Sequence, residues 1–232
     1  MKFLVGLVVG AIIAAAIGAA AIAYAFGDID KLDVGERDKS NDTAKTFELR
    51  DFDKIDVKGV FELDVTVGPN FLVQVSGPQT ELDRVEASVV DGELILDQRH
   101  KVKGGRRQGH DGVTAKVTMP ELSSVEVSGV VDGDVDGIAA GEFDVDISGV
   151  GDLSLSGTCD SLDARVSGVG DLDAADLKCK TVDVTVSGVG EAKVYASESV
   201  DAAVSGMGEI SVDGSPKNVQ KEGGLFSDIN VN

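Results

Sequence analysis

Carboxylates are the side chains best placed to do chemistry in this 232-residue chain, which carries 41 Asp and Glu against 21 Lys and Arg. They recur at regular intervals. Asp144, Asp163, Asp183 and Asp201 form one set, and Asp132, Asp152, Asp171, Glu191 and Glu209 form a second. If each set stacks into a column, like charges on neighbouring strands repel. Bound Ca²⁺, which accepts several carboxylate and carbonyl oxygens, would relieve that repulsion. The first set is therefore a candidate Ca²⁺ ladder, with a solvated acidic face as the plainer alternative, and no other cofactor is implied. Glycoside hydrolysis also uses paired carboxylates, but it needs one unlike pair whose pKa values are driven apart. Here the acids repeat identically. His100 and His110 both lie in one basic segment, and no Ser sits in a GxSxG elbow. No catalytic residues are expected, and the chain reads as a non-enzyme.

The spacing of the acids comes from a repeat. SGVVD begins at Ser128, SGVGD at Ser148 and Ser167, SGVGE at Ser187 and SGMGE at Ser205, with successive spacings of 20, 19, 20 and 18 residues. A degenerate earlier copy, KGVFE, begins at Lys58. One, three and five residues before the Ser stand Ile147, Val145 and Phe143, then Val166, Ala164 and Leu162, then Val186, Val184 and Val182, then Val204, Ala202 and Val200. Alternation puts these inward and the intervening aspartates outward. After the motif the inward set resumes, as at Leu153 and Leu155 or Ile210 and Val212. Each repeat thus supplies two short strands around a glycine bend. Such a unit cannot bury its apolar face alone, so the rungs must stack about 4.8 Å apart as a parallel β-helix or solenoid.

In that register Cys159 and Cys179, each eight residues before the Ser of its repeat, fall side by side within disulfide reach. A bridge is expected in an oxidising compartment, with stacked free thiols as the alternative. Gly129, Gly149, Gly151, Gly168, Gly170, Gly188, Gly190, Gly206 and Gly208 mark the bends, where absence of a Cβ lets the backbone turn tightly. The residue between the glycines, Val130, Val150, Val169, Val189 or Met207, has two open readings. It is core if the bend rotates it inward, and an exposed apolar stripe suited to a subunit or ligand contact if alternation holds.

Elsewhere the signals are coarser. Met1 and Lys2 precede a 24-residue apolar run, Phe3 to Phe26, long enough to cross a hydrocarbon core about 30 Å thick. Ala23-Tyr24-Ala25 also forms an A-x-A cleavage site. Residues 1–25 are a signal peptide or membrane anchor, and both readings export the remainder of the chain. Residues 26–45 read as a linker, 46–214 as the β domain and 215–232 as a C-terminal tail. Within the domain, Asp91-Gly92 is a hairpin signal. Residues 98–112, with seven basic or His side chains and four Gly, read as an exposed loop. A formal net charge of −20 sets the field of the whole molecule against phosphate backbones, so no nucleic-acid partner is expected.

The SGVGD copies, the TMPELSSVEVSG segment from Thr118 to Gly129 and the DFDKIDVKGVFELDV stretch from Asp51 together resemble the putative auto-transporter adhesin head domain, or GIN domain, over roughly residues 46–214. That resemblance implies a right-handed β-helical protein of the bacterial envelope, periplasmic or at the cell surface. The expected function is a non-catalytic, adhesin-like binding or scaffold module for an envelope polymer or protein partner. A homo-oligomer, and membrane attachment through residues 3–26 if these are retained, are compatible with it. The alternatives are a carbohydrate-active β-helix enzyme and a membrane-tethered envelope sensor domain.

Overall fold

The structure, a computed structural model, describes residues 42–98, 112–224 and 227–232. The signal or anchor segment, the linker as far as residue 41 and the basic stretch 99–111 lie outside the described residues. Among the described residues, no helix is long and apolar enough to cross a membrane.

Period-two patterning becomes a stack of parallel rungs. Four long strands, β9 (Val130–Ile147), β10 (Val150–Val166), β11 (Leu172–Val186) and β12 (Val189–Val204), each run from just after one Ser-Gly pair to just before the next. Each bends around the rung, so a single strand supplies more than one side of the solenoid. Bulges between Leu155 and Gly157 and between Ala174 and Lys178 mark corners. Val145, Ala164, Val184 and Ala202 are in register, as are Ile147, Val166, Val186 and Val204. All eight are buried, at 3% exposure or less. Small, β-branched side chains suit this interior because each rung must leave room for the next about 4.8 Å away.

The early part stacks out of sequence order. β2 (Lys54–Lys58) and β3 (Val60–Val67) form a rung beside β8 (Ser124–Val127) and the start of β9. β6 (Glu93–Gln98) and β7 (Val113–Met119) lie on the far side of it, parallel to β2 and β3. The outermost position belongs to antiparallel strands: β4 (Leu72–Gly77) on β7, β1 (Thr43–Phe47) on β4, and β5 (Val85–Val90) on β6. The hairpin at Asp91-Gly92 has positive φ at both residues, 51° and 82°, as a two-residue I′ turn requires. A one-turn helix, α1 (Gln79–Leu82), joins β4 to β5 and buries Leu82.

Three boundaries differ from the sequence reading. β1 starts at Thr43, inside the expected linker, because antiparallel pairing with β4 orders it. Gln98, read as loop, ends β6 and is 1% exposed: it accepts a bond from the Val60 N–H (3.2 Å) and donates to Glu81 (3.1 Å). Residues 215–232, read as a tail, supply one more rung. β13 (Met207–Gly214) pairs with β15 (Ser227–Val231), and β12 pairs with β14 (Asn218–Gly223). No Ser-Gly motif marks that rung, which is why the repeat was not visible there. In it the inward column of Val184 and Ala202 reaches Lys221, whose exposed Nζ donates to the Ile229 carbonyl at 2.9 Å.

Candidate binding face

The motif residues line one edge of the stack. An ideal Cβ on Gly149, Gly168, Gly188 or Gly206 would lie under 3.0 Å from backbone of the preceding rung's Ser-Gly pair. Gly129 stands in the same relation to Gly59, so the KGVFE copy is the first member of the column. A Cβ on Gly170, Gly190 or Gly208 would strike the carbonyl of the glycine one rung before, and one on Gly151 would press against the Val131 carbonyl at 3.0 Å. The glycines hold the rungs in backbone-to-backbone contact, a close approach that no side chain tolerates.

The residue between the glycines points outward. Val60, Val130, Val150, Val169, Val189 and Met207 are in register across six rungs. Exposure is 47% at Val130, 47% at Val150, 51% at Val169, 44% at Val189 and 58% at Met207. These five account for most of the eight large apolar side chains exposed among the described residues, so alternation wins over inward rotation. The stripe borders a shallow depression of about 670 Å³ that runs from Lys58 and Gly59 past Val130 and Val150 to Val169.

Two residues further along lies the second acidic set, longer than the sequence indicated. Glu62, Asp132 and Asp152 are in register, as are Glu191, Glu209 and Asp228. Asp171 bridges them: its N–H donates to the Asp152 carboxylate (3.2 Å), and its own carboxylate accepts the Glu191 N–H (2.8 Å). Two of the acids therefore stand in for strand-ladder acceptors. Burial, followed by Asp152, Asp134 and Glu62, raises the Asp132 carboxyl above its usual range.

Asp144, Asp163, Asp183 and Asp201 also stand in register, on another edge of the rungs. Burial, then the charges of Asp163 and Asp201, raises Asp183, while Arg165 opposes the shift and pairs with Asp163 at 2.5 Å. Among the described residues, no three His, Cys, Asp or Glu side chains are grouped so as to hold a metal ion. Parallel outward side chains keep the spacing of their strands instead of converging on one point.

Cys159 and Cys179 pair across adjacent rungs as a disulfide, with Cα atoms 4.5 Å apart, and both are buried. Their column continues into Ala140 on one side and Ala196 on the other.

Sequence reasoning passed over one unlike acidic group. Asp56, Glu126 and Asp146 occupy neighbouring rungs of one column. Asp56 is 3% exposed and pairs with Lys58, while one carboxylate oxygen each of Asp56 and Asp146 is buried without a hydrogen-bond partner. Burial and the charges of Asp56, Asp146 and Glu93 raise Glu126. The buried Asp56 is flanked by the core residues Ile55 and Val57. KIDVK alternates polar with apolar residues, so its pattern reads Asp56 as outward-facing and carries no signal of its burial.

Comparison with known proteins bears on the whole stack. A model of the family described as "Putative auto-transporter adhesin, head GIN domain" matches residues 51–216. A crystal structure of a putative adhesin from Bacteroides fragilis NCTC 9343 is similar with a TM-score of 0.69 at 25% identity, over 83% of this chain and 98% of that one. A putative adhesin from Parabacteroides distasonis ATCC 8503 shares the fold with a TM-score of 0.50 at 18% identity, over 82% of this chain and 97% of that one. A search of curated proteins gave no match. Since the match takes in both the out-of-order early rungs and the Ser-Gly repeats, the chain belongs to the auto-transporter adhesin head, or GIN domain, family.

Proposed function

We propose that this chain is a non-catalytic, adhesin-like binding module that works outside the cytoplasm, presenting a stiff β surface to an envelope polymer or protein partner. The observation that carries this reading is the surface itself. Its chemistry is laid out in columns that repeat from rung to rung, which suits an extended partner contacted at many equivalent points. A hydrolase would instead need two unlike carboxylates across one cleft. Family membership and the similarity to the Bacteroides fragilis protein support an adhesin-like role. The apolar run from Phe3 to Phe26 supports export, with attachment or release depending on its cleavage.

The test has two parts. Intact cells producing the full chain are treated with an external protease; the reading expects loss of the domain from the surface, or after outer-membrane permeabilisation for a periplasmic location. Beads bearing the full chain are then scored for retention on isolated cell envelopes. Protection of the domain in permeabilised cells, or retention no better than that of beads bearing an unrelated acidic protein, would refute the proposal.

A further inference from the structure

Resting on that reading, we infer that the valine stripe and the acidic column beside it form one docking surface for a cationic, amphipathic polypeptide segment laid along the solenoid axis. The fold accounts for the motif glycines, because any Cβ there meets the next rung. It accounts for Asp152 and Asp171, which accept backbone N–H groups. It does not account for Val130, Val150, Val169, Val189 and Met207, which pack into no core and stand 44–58% exposed. A polar residue would serve as well at an exposed strand position, yet the apolar type recurs on every motif rung.

Size and charge select the occupant. Six rungs at about 4.8 Å spacing make a ridge roughly 24 Å long, an apolar strip too narrow for a large permanent interface and suited to a single segment of chain. On its flank lie Glu62, Asp132, Asp152, Asp171, Glu191 and Glu209. On the other flank stand the motif serines, uncharged and exposed, with Lys58, paired to Asp56, in their place on the first rung. A partner that covers the valines therefore meets negative charge along one side, and Lys or Arg there gains on-rate and register. An anionic lipid surface is repelled by the same column. A second copy offers the acid column either its own row of carboxylates, which repels, or its uncharged serines, and in neither orientation a complementary row of cations.

The test uses the full chain recovered from the expressing host and a 16-residue Lys/Leu peptide of amphipathic pattern, with binding followed by fluorescence anisotropy. Wild type is expected to bind it, more weakly as salt rises. The doublet Val150→Thr/Val169→Thr should weaken binding about tenfold, and Asp132→Asn/Glu191→Gln about threefold with a shallower salt dependence. Tm is measured alongside, so that a general loss of folding is separated from loss of the face. The inference is overturned if the threonine doublet, folded, binds as well as wild type. Equal binding of an oligolysine lacking Leu would reduce the site to a bare acidic field and overturn it too. Self-association in ultracentrifugation that the doublet abolishes would make the face a contact between copies, and would equally end the proposal. If beads bearing the folded doublet still hold to envelopes, this docking surface is wrong while the adhesin-like reading stands; if wild-type beads fail to hold, that reading itself falls.

Discussion

The early rungs and the motif rungs build the same kind of stack by opposite means. Residues 43–98 and 113–119 use large, individual side chains: Phe52, Phe61, Leu63, Leu82, Leu94, Leu96 and Met119 are all buried. A unique polar group sits inside them, with Gln98 joined to Val60 and Glu81, and Arg84 to Glu81 at 3.1 Å. Residues 124–214 repeat their side chains in register, glycine against glycine at the edge and, inside, columns of Val and Ala alongside Phe143, Leu162, Leu155 and Leu172. The first region closes one end of the stack with antiparallel strands and carries a single solution; the second extends it by rule. A register is thus set once, by irregular contacts, and then copied.

Substitution at a copied position should break that contrast hardest. Gly168→Ala drives a Cβ into the Gly149 carbonyl and the Ser148 backbone, and is expected to cost about 3 kcal/mol or more. Gly141→Ala, with nothing within 4 Å of the added carbon, should stay within about 0.5 kcal/mol of wild type. Urea unfolding of the two variants decides it, and similar midpoints would mean the glycine column is not under steric constraint.

Next comes the staple between rungs. Replacing both Cys159 and Cys179 by Ala opens a link of sequence separation 20 and should lower stability by about 3 kcal/mol. Reductant should do the same to wild type and nothing further to the variant. An unchanged melting curve in reductant would show that the bridge contributes no stability. The irregular end is probed by Gln98→Ala, which leaves the Val60 N–H without its acceptor and should cost about 2 kcal/mol. If the end sets the register, hydrogen exchange should quicken in β2, β3 and β8 before β11 and β12; uniform quickening would argue for a stack without a distinct starter.

The smallest effect should come from the columns of like charge. Asp132, Asp183 and Glu126 are raised by burial first and neighbouring carboxylates second. A carboxyl whose folded pKa exceeds its unfolded one binds its proton more readily when folded, so stability falls as pH rises through the raised range and is regained below the ordinary value. Tm should therefore climb by a few degrees between pH 7 and about pH 4.5. Most of each group faces solvent, so the gain is held under about 1 kcal/mol by screening. About 0.5 M salt should shrink it further. A Tm that drops steadily over that interval would show that paired carboxylates, not crowded ones, dominate.

The motif rungs were legible in the sequence because their core is periodic: five Ser-Gly copies align Val145, Ala164, Val184 and Ala202 without knowledge of anything distant. The position of β6 and β7 outside β2 and β3 was not, since it depends on Phe61 meeting Val113 and Ile55 meeting Leu94 across long stretches of chain. The last rung was hidden because Lys221 and Gly223 replace the apolar residues of its columns. At the candidate face, the composition of the stripe and of the acid column could be read, but not which way the valines turned. That depended on how each glycine pair stacked on its neighbour, a contact between rungs and not a property of either alone.

Lys221 has a consequence for the molecule as an object of finite length. The column Leu94, Ile55, Val125, Val145, Ala164, Val184 and Ala202 runs unbroken through the interior, and a parallel stack with an open apolar end invites another molecule to continue it. The ammonium placed at the next position would have to be stripped of water by any rung laid over it, a desolvation that backbone pairing alone does not offset. Lys221 therefore opposes fibre growth along this column, while Val219, Ile229 and Val231 continue the other columns of the same rung as apolar residues.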